Sequence, residues 1–325
     1  NVQKTIISEN IMSVKNFKIT CPLHIHQELN LDKNRWICPE SSCHHSNYKN
    51  GFKSQDGVPH IISNICDTIC ESNLKKKYIS RSSKISSQIK SIFIVTNKIS
   101  ITNGTKFVDN LYLISKKPKV LIAGSAEIGN GTSSFLSDSN INTLGLDIYQ
   151  TENVDLVADA HYLPFQNNTF DGVWIQAVLE HVMDPNLVVK EIFRVLKKDG
   201  IIYSEIPFMQ PVHEGAYDFT RYTSTGHRFL FKNFEEIEIG ILDGPAEALT
   251  WSIKYYLMEI FKSRLIANII SQSLYHTFIK PLSIFTKTKT SFDFFCGSYF
   301  LGRKKHKTIL QKDVIATYQG KQKTN

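Results

Sequence analysis

The 325-residue sequence predicts an α/β fold, a mostly parallel sheet with helices on both faces. Three observations lead there. Short apolar runs ending at Gly or an acid recur between residues 119 and 206. Helical periodicity appears between them. Hydrophobic residues make up 42% of the chain, enough for a large core and a small satellite.

The elements follow in order. KVLIAG (119–124) is apolar throughout, as a strand buried on both faces must be. NTLGLDIY (142–149) is the second strand, with Asp147 near its end. Residues 155–158 form a short third strand and 170–175 a fourth. Residues 186–197 carry Val188, Ile192, Val195 and Leu196 at helical spacing. Lys198-Asp199-Gly200 closes that helix, and Ile201 to Ile206 is the fifth strand. Such alternation implies right-handed crossovers, with ligands bound beyond the carboxyl ends of the strands.

Those ends carry chemistry. Gly124 is followed by SAEIGNGT, where Gly129 and Gly131 let backbone amides approach a ligand. Asp147 stands where an acid accepts the hydroxyls of a ribose. Asp159 stands where an acid accepts from an exocyclic amine. Singly, each acid reads as a helix cap or a solvated loop; their succession at strand ends points to a nucleoside.

The segments LIAG, GLDIY, VADAHYLPF, FDGVWIQAVLEHVMDP and RVLKKDGIIYSEIPF, in this order, resemble class I S-adenosylmethionine-dependent methyltransferases, type 11-like. The resemblance covers roughly 119–302. It implies a Rossmann-like seven-stranded sheet whose last strand, 292–301, is antiparallel. It implies that Gly124, Ser125, Gly129 and Gly131 pass the methionine part, Asp147 and Ile148 hold the ribose, and Asp159 and Ala160 hold the adenine. Gln176 and Ala177 would line the pocket near the sulfonium. This sequence departs from the family after Gly124, where a second glycine is replaced in Gly124-Ser125-Ala126.

Methyl transfer from a sulfonium needs alignment, water exclusion and, for a hydroxyl acceptor, a base. His181 follows the fourth strand. The segment 207–231 adds His213, Glu214, Asp218, Arg221 and Tyr222. His181, His213, Asp218, Arg221 and Tyr222 are the catalytic candidates. His213 is the preferred base, because Pro207 and Pro211 stiffen its approach. Asp218 and Arg221 stand three apart, as an ion pair fixing the loop would.

Near the N-terminus, Cys21-x2-His24 and Cys38-x4-Cys43 give two ligand pairs for a tetrahedral zinc ion. His26, His44 and His45 are alternative ligands. The stretch resembles Trm112-like zinc ribbons, including the ending Gly57-Val58-Pro59-His60-Ile61. Cys66 and Cys70 read as plain thiols and Cys296 as core.

The expected organisation is a leader (1–16), a zinc-ribbon-like module (17–63), a helical or irregular connector (64–110), the methyltransferase domain (111–302) and a basic tail (303–325). The formal charge is +8, with basic flanks and an acidic middle. The expected activity is S-adenosylmethionine-dependent methylation of a small-molecule or saccharide acceptor, on oxygen. The alternatives are an RNA methyltransferase and a non-catalytic cofactor-binding scaffold. Nucleic acid is the less favoured partner, because the catalytic region is acidic. No 18-residue apolar run or signal-like leader is visible, so a cytoplasmic protein is expected. The apolar, aromatic stretch 250–286 is expected to form helices covering the sheet, with peripheral membrane contact as the other reading.

Overall fold

The computed structural model describes residues 14, 16–69, 98–286, 288–305 and 308–322. Almost all of the expected leader, residues 70–97 of the connector and Cys70 lie outside the described residues. The chain forms two compact units: residues 1–176 with 183–202, and residues 177–182 with 203–325.

The first unit opens with β1 (Thr20–Cys21) and β2 (His24–Glu28), an antiparallel pair. An antiparallel meander follows: β3 (Asn30–Asp32), β4 (Arg35–Ile37), β5 (Phe52–Gln55) and β6 (Val58–Ile61). Then come helix α1 (Lys98–Tyr112), β7 (Lys119–Ala123), β8 (Asn142–Asp147), β9 (Leu156–Ala158), β10 (Phe170–Gln176), helix α2 (Pro185–Val195) and β11 (Leu196–Pro207). Within this unit the strand order is β11–β10–β7–β8–β9–β6–β5–β4–β3. The pairs β10/β7, β7/β8 and β8/β9 are parallel.

The ribbon is not a separate satellite. Strand β6 pairs in parallel with β9, setting His60 opposite Val157 and Ile61 opposite Ala158. The meander therefore extends the main sheet. Phe17 stacks on Phe170 with ring centroids 5.6 Å apart, and Ile19 bridges to Phe165. The end of the expected connector is also core: α1 buries Phe107 and Leu111. Phe107 and Phe135 both pack against Trp174 at 5.3 Å. Burying each such ring contributes about 2–3 kcal/mol.

Asp184 caps α2 by accepting from the amides of Asn186 and Leu187 at 3.0 and 3.1 Å, and Pro185 takes the first helical position. The helix ends at Val195, earlier than its periodicity suggests, and β11 starts at once. The turn chemistry of Lys198-Asp199-Gly200 acts inside the strand instead, with Asp199 at φ +62°.

In the second unit β12 (Phe234–Asp243) and β13 (Gly297–Lys304) pair antiparallel. With β12, the strands from β7 onward number seven, as the resemblance implies. The last strand starts later than expected, because Lys289–Phe292 coil into a short helical turn. Helix α3 (Ser224–Leu230) buries His227. Helices α4 (Pro245–Phe261) and α5 (Arg264–Leu274) follow. Coverage by these helices is thinner than expected. Helix α4 buries only Ala246, Ala248 and Thr250, while Tyr256, Ile260, Leu265 and Ile269 are exposed. No helix among the described residues is long and apolar enough to cross a membrane. The expected tail is partly folded: Val314 is buried, and the Tyr318 hydroxyl donates to Asp293 at 2.5 Å.

Candidate functional site

In the first unit, the end of β8 places Asp147. Its Oδ2 accepts the Ala126 amide at 3.0 Å and its Oδ1 the Tyr149 amide at 2.9 Å. The Ile148 amide also bonds this carboxylate, so of its roughly four acceptor positions one stays open to a hydroxyl. Burial holds this carboxyl above its usual range. Ile148, beside it, is half-buried.

Asp159 ends β9 and caps the short turn 160–162. His161 Nε2 accepts the Asp184 amide at 3.2 Å, which puts the ring hydrogen on Nδ1. That Nδ1–H donates to Asp159 Oδ1 at 2.6 Å, and the His161 amide reaches the same oxygen at 2.9 Å. The Thr68 hydroxyl donates to Oδ2. One acceptor position is left on Oδ2, suited to an amine. Ala160 is buried next to it.

The glycines meet their own chain. Gly124 has φ +83°, and its amide and that of Ser125 both donate to the Leu146 carbonyl, at 2.8 and 3.1 Å. Ser125 is fully buried. A Cβ on Gly131, at φ +94°, would lie 2.3 Å from the Ser100 carbonyl oxygen. One on Gly129 would lie 2.1 Å from Gln176 Oε1, which itself accepts from Trp174 Nε1 at 3.2 Å. These two glycines serve close packing of the loop. Asp147 and Asp159 are the acceptors of this unit that could hold a hydroxyl and an amine.

In the second unit, Ala177 has φ +54°, a conformation uncommon for a side chain with Cβ, and donates its amide to Glu205 at 3.1 Å. The segment then brings Glu180 and His181 against His213. The two Nε2 atoms lie 3.1 Å apart, and Glu180 Oε1 lies 3.7 Å from His181 and 3.9 Å from His213. Glu180 is fully buried, and neither carboxylate oxygen accepts a hydrogen bond. Burial pushes its carboxyl up to about 8. Burial also lowers the His181 pKa.

Asp218 and Arg221 fix this loop. Asp218 Oδ2 accepts the His213 amide at 2.9 Å and Arg221 Nη2 at 2.8 Å. The guanidinium also donates to the carbonyls of Gln210, Pro211 and Thr220. Burial opposes ionisation of Asp218, but Arg221 and the His213 amide outweigh it and draw the carboxyl down to about 2. These contacts give both residues a positioning role. The Tyr222 amide donates to the Pro207 carbonyl at 3.3 Å. Glu180 is a buried acid that the sequence reading left without a role. Its signal was an acid closing the apolar run FDGVWIQAVLEHV.

The four residues expected to ligate a metal near the N-terminus lie together. Cys21, His24, Cys38 and Cys43 converge, with one ligand atom each, all within 4.8 Å. The Cys21 and Cys43 sulfurs lie 3.8 Å apart, and His24 Nδ1 lies 3.9 Å from the sulfurs of Cys21 and Cys38. Thiolates bound at about 2.3 Å around a tetrahedral zinc stand about 3.8 Å apart. His45 is committed elsewhere, to the Asn50 carbonyl at 2.8 Å and Ser63 Oγ at 2.9 Å. Burial raises the Cys21 and Cys38 thiol pKa values, Cys21 to about 12.

Residues 127–204 match the family model of the methyltransferase domain. With its mostly parallel α/β sheet, the chain carries a class I S-adenosylmethionine-dependent methyltransferase domain, joined to a zinc-ribbon-like N-terminus. Over 129 residues it is 33% identical to the ubiquinone/menaquinone biosynthesis C-methyltransferase UbiE of Neisseria meningitidis, covering 35% of this chain and 53% of that protein. The UbiE protein of Saccharophagus degradans is 43% identical over 65 residues, 19% of this chain and 26% of the relative. The chain thus spans about half or less of these curated relatives. Among solved structures, coclaurine N-methyltransferase is similar at 14% identity and a TM-score of 0.40, covering 72% of this chain and 78% of that one. A complex of the Haloferax volcanii Trm112 methyltransferase activator is similar at 18% identity and a TM-score of 0.37, covering 65% and 94%.

Proposed function

We propose that this protein transfers a methyl group from S-adenosylmethionine to a hydroxyl-bearing small molecule or saccharide. The supporting observation is the spare acceptor capacity of Asp147 and Asp159 at successive strand ends. Asp147 holds a ribose hydroxyl and Asp159 the adenine amine. Bound S-adenosylmethionine supplies an electrophilic methyl on a sulfonium. The chain has to align the acceptor and take its proton. Glu180, His181 and His213 are the groups for that proton, with Asp218 and Arg221 holding His213 in place. Ionising a phenolic hydroxyl activates its oxygen or an adjacent ring carbon alike. This chemistry also suits the C-methyl transfer named for the UbiE relatives. The ribbon stabilises the domain in cis through the β6–β9 pairing. No disulfide joins the described cysteines, which suits a reducing compartment such as the cytoplasm.

The test is formation of S-adenosylhomocysteine and of methylated product across a panel of phenols, hydroxylated quinones and sugars. Turnover with one class, cut by about 100-fold or more in His213→Ala with cofactor affinity retained, supports the reading. Equal loss of both, or of neither, argues against the role of His213. An acceptor-independent absence of product across the panel, despite cofactor binding, favours the non-catalytic scaffold.

The exposed apolar surface of α4 and α5 favours a second possibility for the acceptor, a lipid-linked molecule met at a membrane surface.

A further inference from the structure

We propose that Glu180, His181 and His213 form a binding site for a divalent transition-metal ion of borderline softness, such as Zn(II) or Fe(II). Two imidazoles and one carboxylate are a common donor set for such ions.

The tautomers point the same way. His181 Nδ1 lies 2.6 Å from the Tyr217 carbonyl oxygen, and His213 Nδ1 lies 3.1 Å from that of Pro211. A carbonyl only accepts, so each neutral ring carries its hydrogen on Nδ1 and its lone pair on Nε2. The two Nε2 atoms then meet at 3.1 Å, next to a fully buried carboxyl that would ionise on binding a metal ion. Either a shared proton or a bound cation satisfies three electron-rich atoms this close, and two imidazole nitrogens beside a carboxyl are the donors a divalent metal takes.

The spacing is near that of a coordination shell. Ligands bound at about 2.1 Å stand about 3.0–3.4 Å apart in octahedral or tetrahedral geometry. The histidine pair already does so. The Glu180 contacts of 3.7 and 3.9 Å need to close by about half an ångström, within reach of a small side-chain rotation. The outer contacts are those of metal-bound histidines, each ring held by a backbone carbonyl, with Asp218 3.4 Å from His213 Nδ1. The imidazoles are 18% and 25% exposed while Glu180 is closed off, so an ion would enter from the histidine side and keep open positions there. Binding of the ion stands apart from methyl transfer. Its use, to hold and acidify an acceptor oxygen in place of direct proton transfer to the histidines, rests on the proposed function.

The experiment uses the full chain stripped of metal. It is dialysed against Zn(II) and the zinc per chain is counted. Two equivalents are expected. Cys38→Ser should lose one of them, and His213→Ala the other. Glu180→Gln, which keeps the side-chain shape, should weaken the second site at least tenfold. Co(II) loaded into Cys38→Ser should show weak visible bands without thiolate charge transfer. Circular dichroism confirms that each variant is folded. Zinc uptake by His213→Ala or Glu180→Gln equal to the parent overturns the proposal. So does a parent that binds one equivalent, all of it lost in Cys38→Ser, which would leave a proton as the cation shared by the trio. Metal binding without turnover would leave this site standing and sink the methyltransferase reading instead.

Discussion

Thr68 donates its hydroxyl hydrogen to Asp159, the acid assigned to the adenine amine. The residue lies just beyond the ribbon, so the N-terminal segment helps orient this carboxylate. The Thr68 contact and the two from His161 orient the carboxylate and leave one acceptor position. Thr68→Val is expected to weaken S-adenosylmethionine binding about three- to tenfold, the loss of one charge-assisted hydrogen bond. Isothermal calorimetry measures this. Tighter binding would mean that Thr68 competes with the cofactor for Asp159.

The ribbon and the parallel sheet share hydrogen bonds through β6 and β9. Loss of the Cys21/His24/Cys38/Cys43 metal should therefore reach the whole first unit. Cys38→Ser, or treatment with a strong chelator, is expected to cost several kcal/mol and lower the melting temperature by on the order of 10 °C. Calorimetry with parallel zinc analysis checks both. An unchanged melt in a zinc-free sample would make the ribbon a metal-free module.

His227 is fully buried between Ser204 Oγ at 3.1 Å and Ser298 Oγ at 2.9 Å, with Phe231 and Phe300 beside it. Burial lowers its pKa to about 3. A lowered folded pKa means that the unfolded chain takes up the proton first. Its contribution is fully present above the ordinary histidine value and is lost as the pH falls towards 3. The expected slope is up to about 1.4 kcal/mol per pH unit. His227→Gln should flatten the acid limb of the melting temperature against pH relative to the parent. Parallel curves between pH 6.5 and 4 would show that His227 titrates as it does in the unfolded chain.

Helices α4 and α5 expose Trp251, Tyr256, Ile260, Leu265 and Ile269, interspersed with Lys254, Lys262 and Arg264. Sedimentation with vesicles rich in anionic lipid is expected to pellet a salt-sensitive fraction of the protein. Tyr256→Ser with Leu265→Ser should reduce that fraction. Protein left wholly in the supernatant at low salt would return this face to the role of an ordinary surface.

Strands β7, β8, β9 and β10 were legible to within a residue or two because they are continuous apolar runs buried on both faces. Strand β12 was not, because Glu235, Glu236 and Glu238 interrupt its pattern and it runs at a sheet edge. The clustering of Cys21, His24, Cys38 and Cys43 could be read from spacing alone. The β6–β9 pairing could not, since nothing local marks which distant strand a short edge will join. At the site, Asp147 and Asp159 announced themselves as acids closing apolar strands. The convergence of Glu180 with His213 depends on how the loop 207–222 folds back, held by Asp218 and Arg221, and no periodicity encodes that.

Cofactor binding by the first unit underlies the whole account, and calorimetric titration of the purified chain with S-adenosylmethionine tests it most directly. The prediction is saturable one-to-one binding that Asp147→Ala weakens by at least tenfold while the protein keeps its circular dichroism spectrum. No heat with the parent protein, or equal affinity in Asp147→Ala, would contradict it.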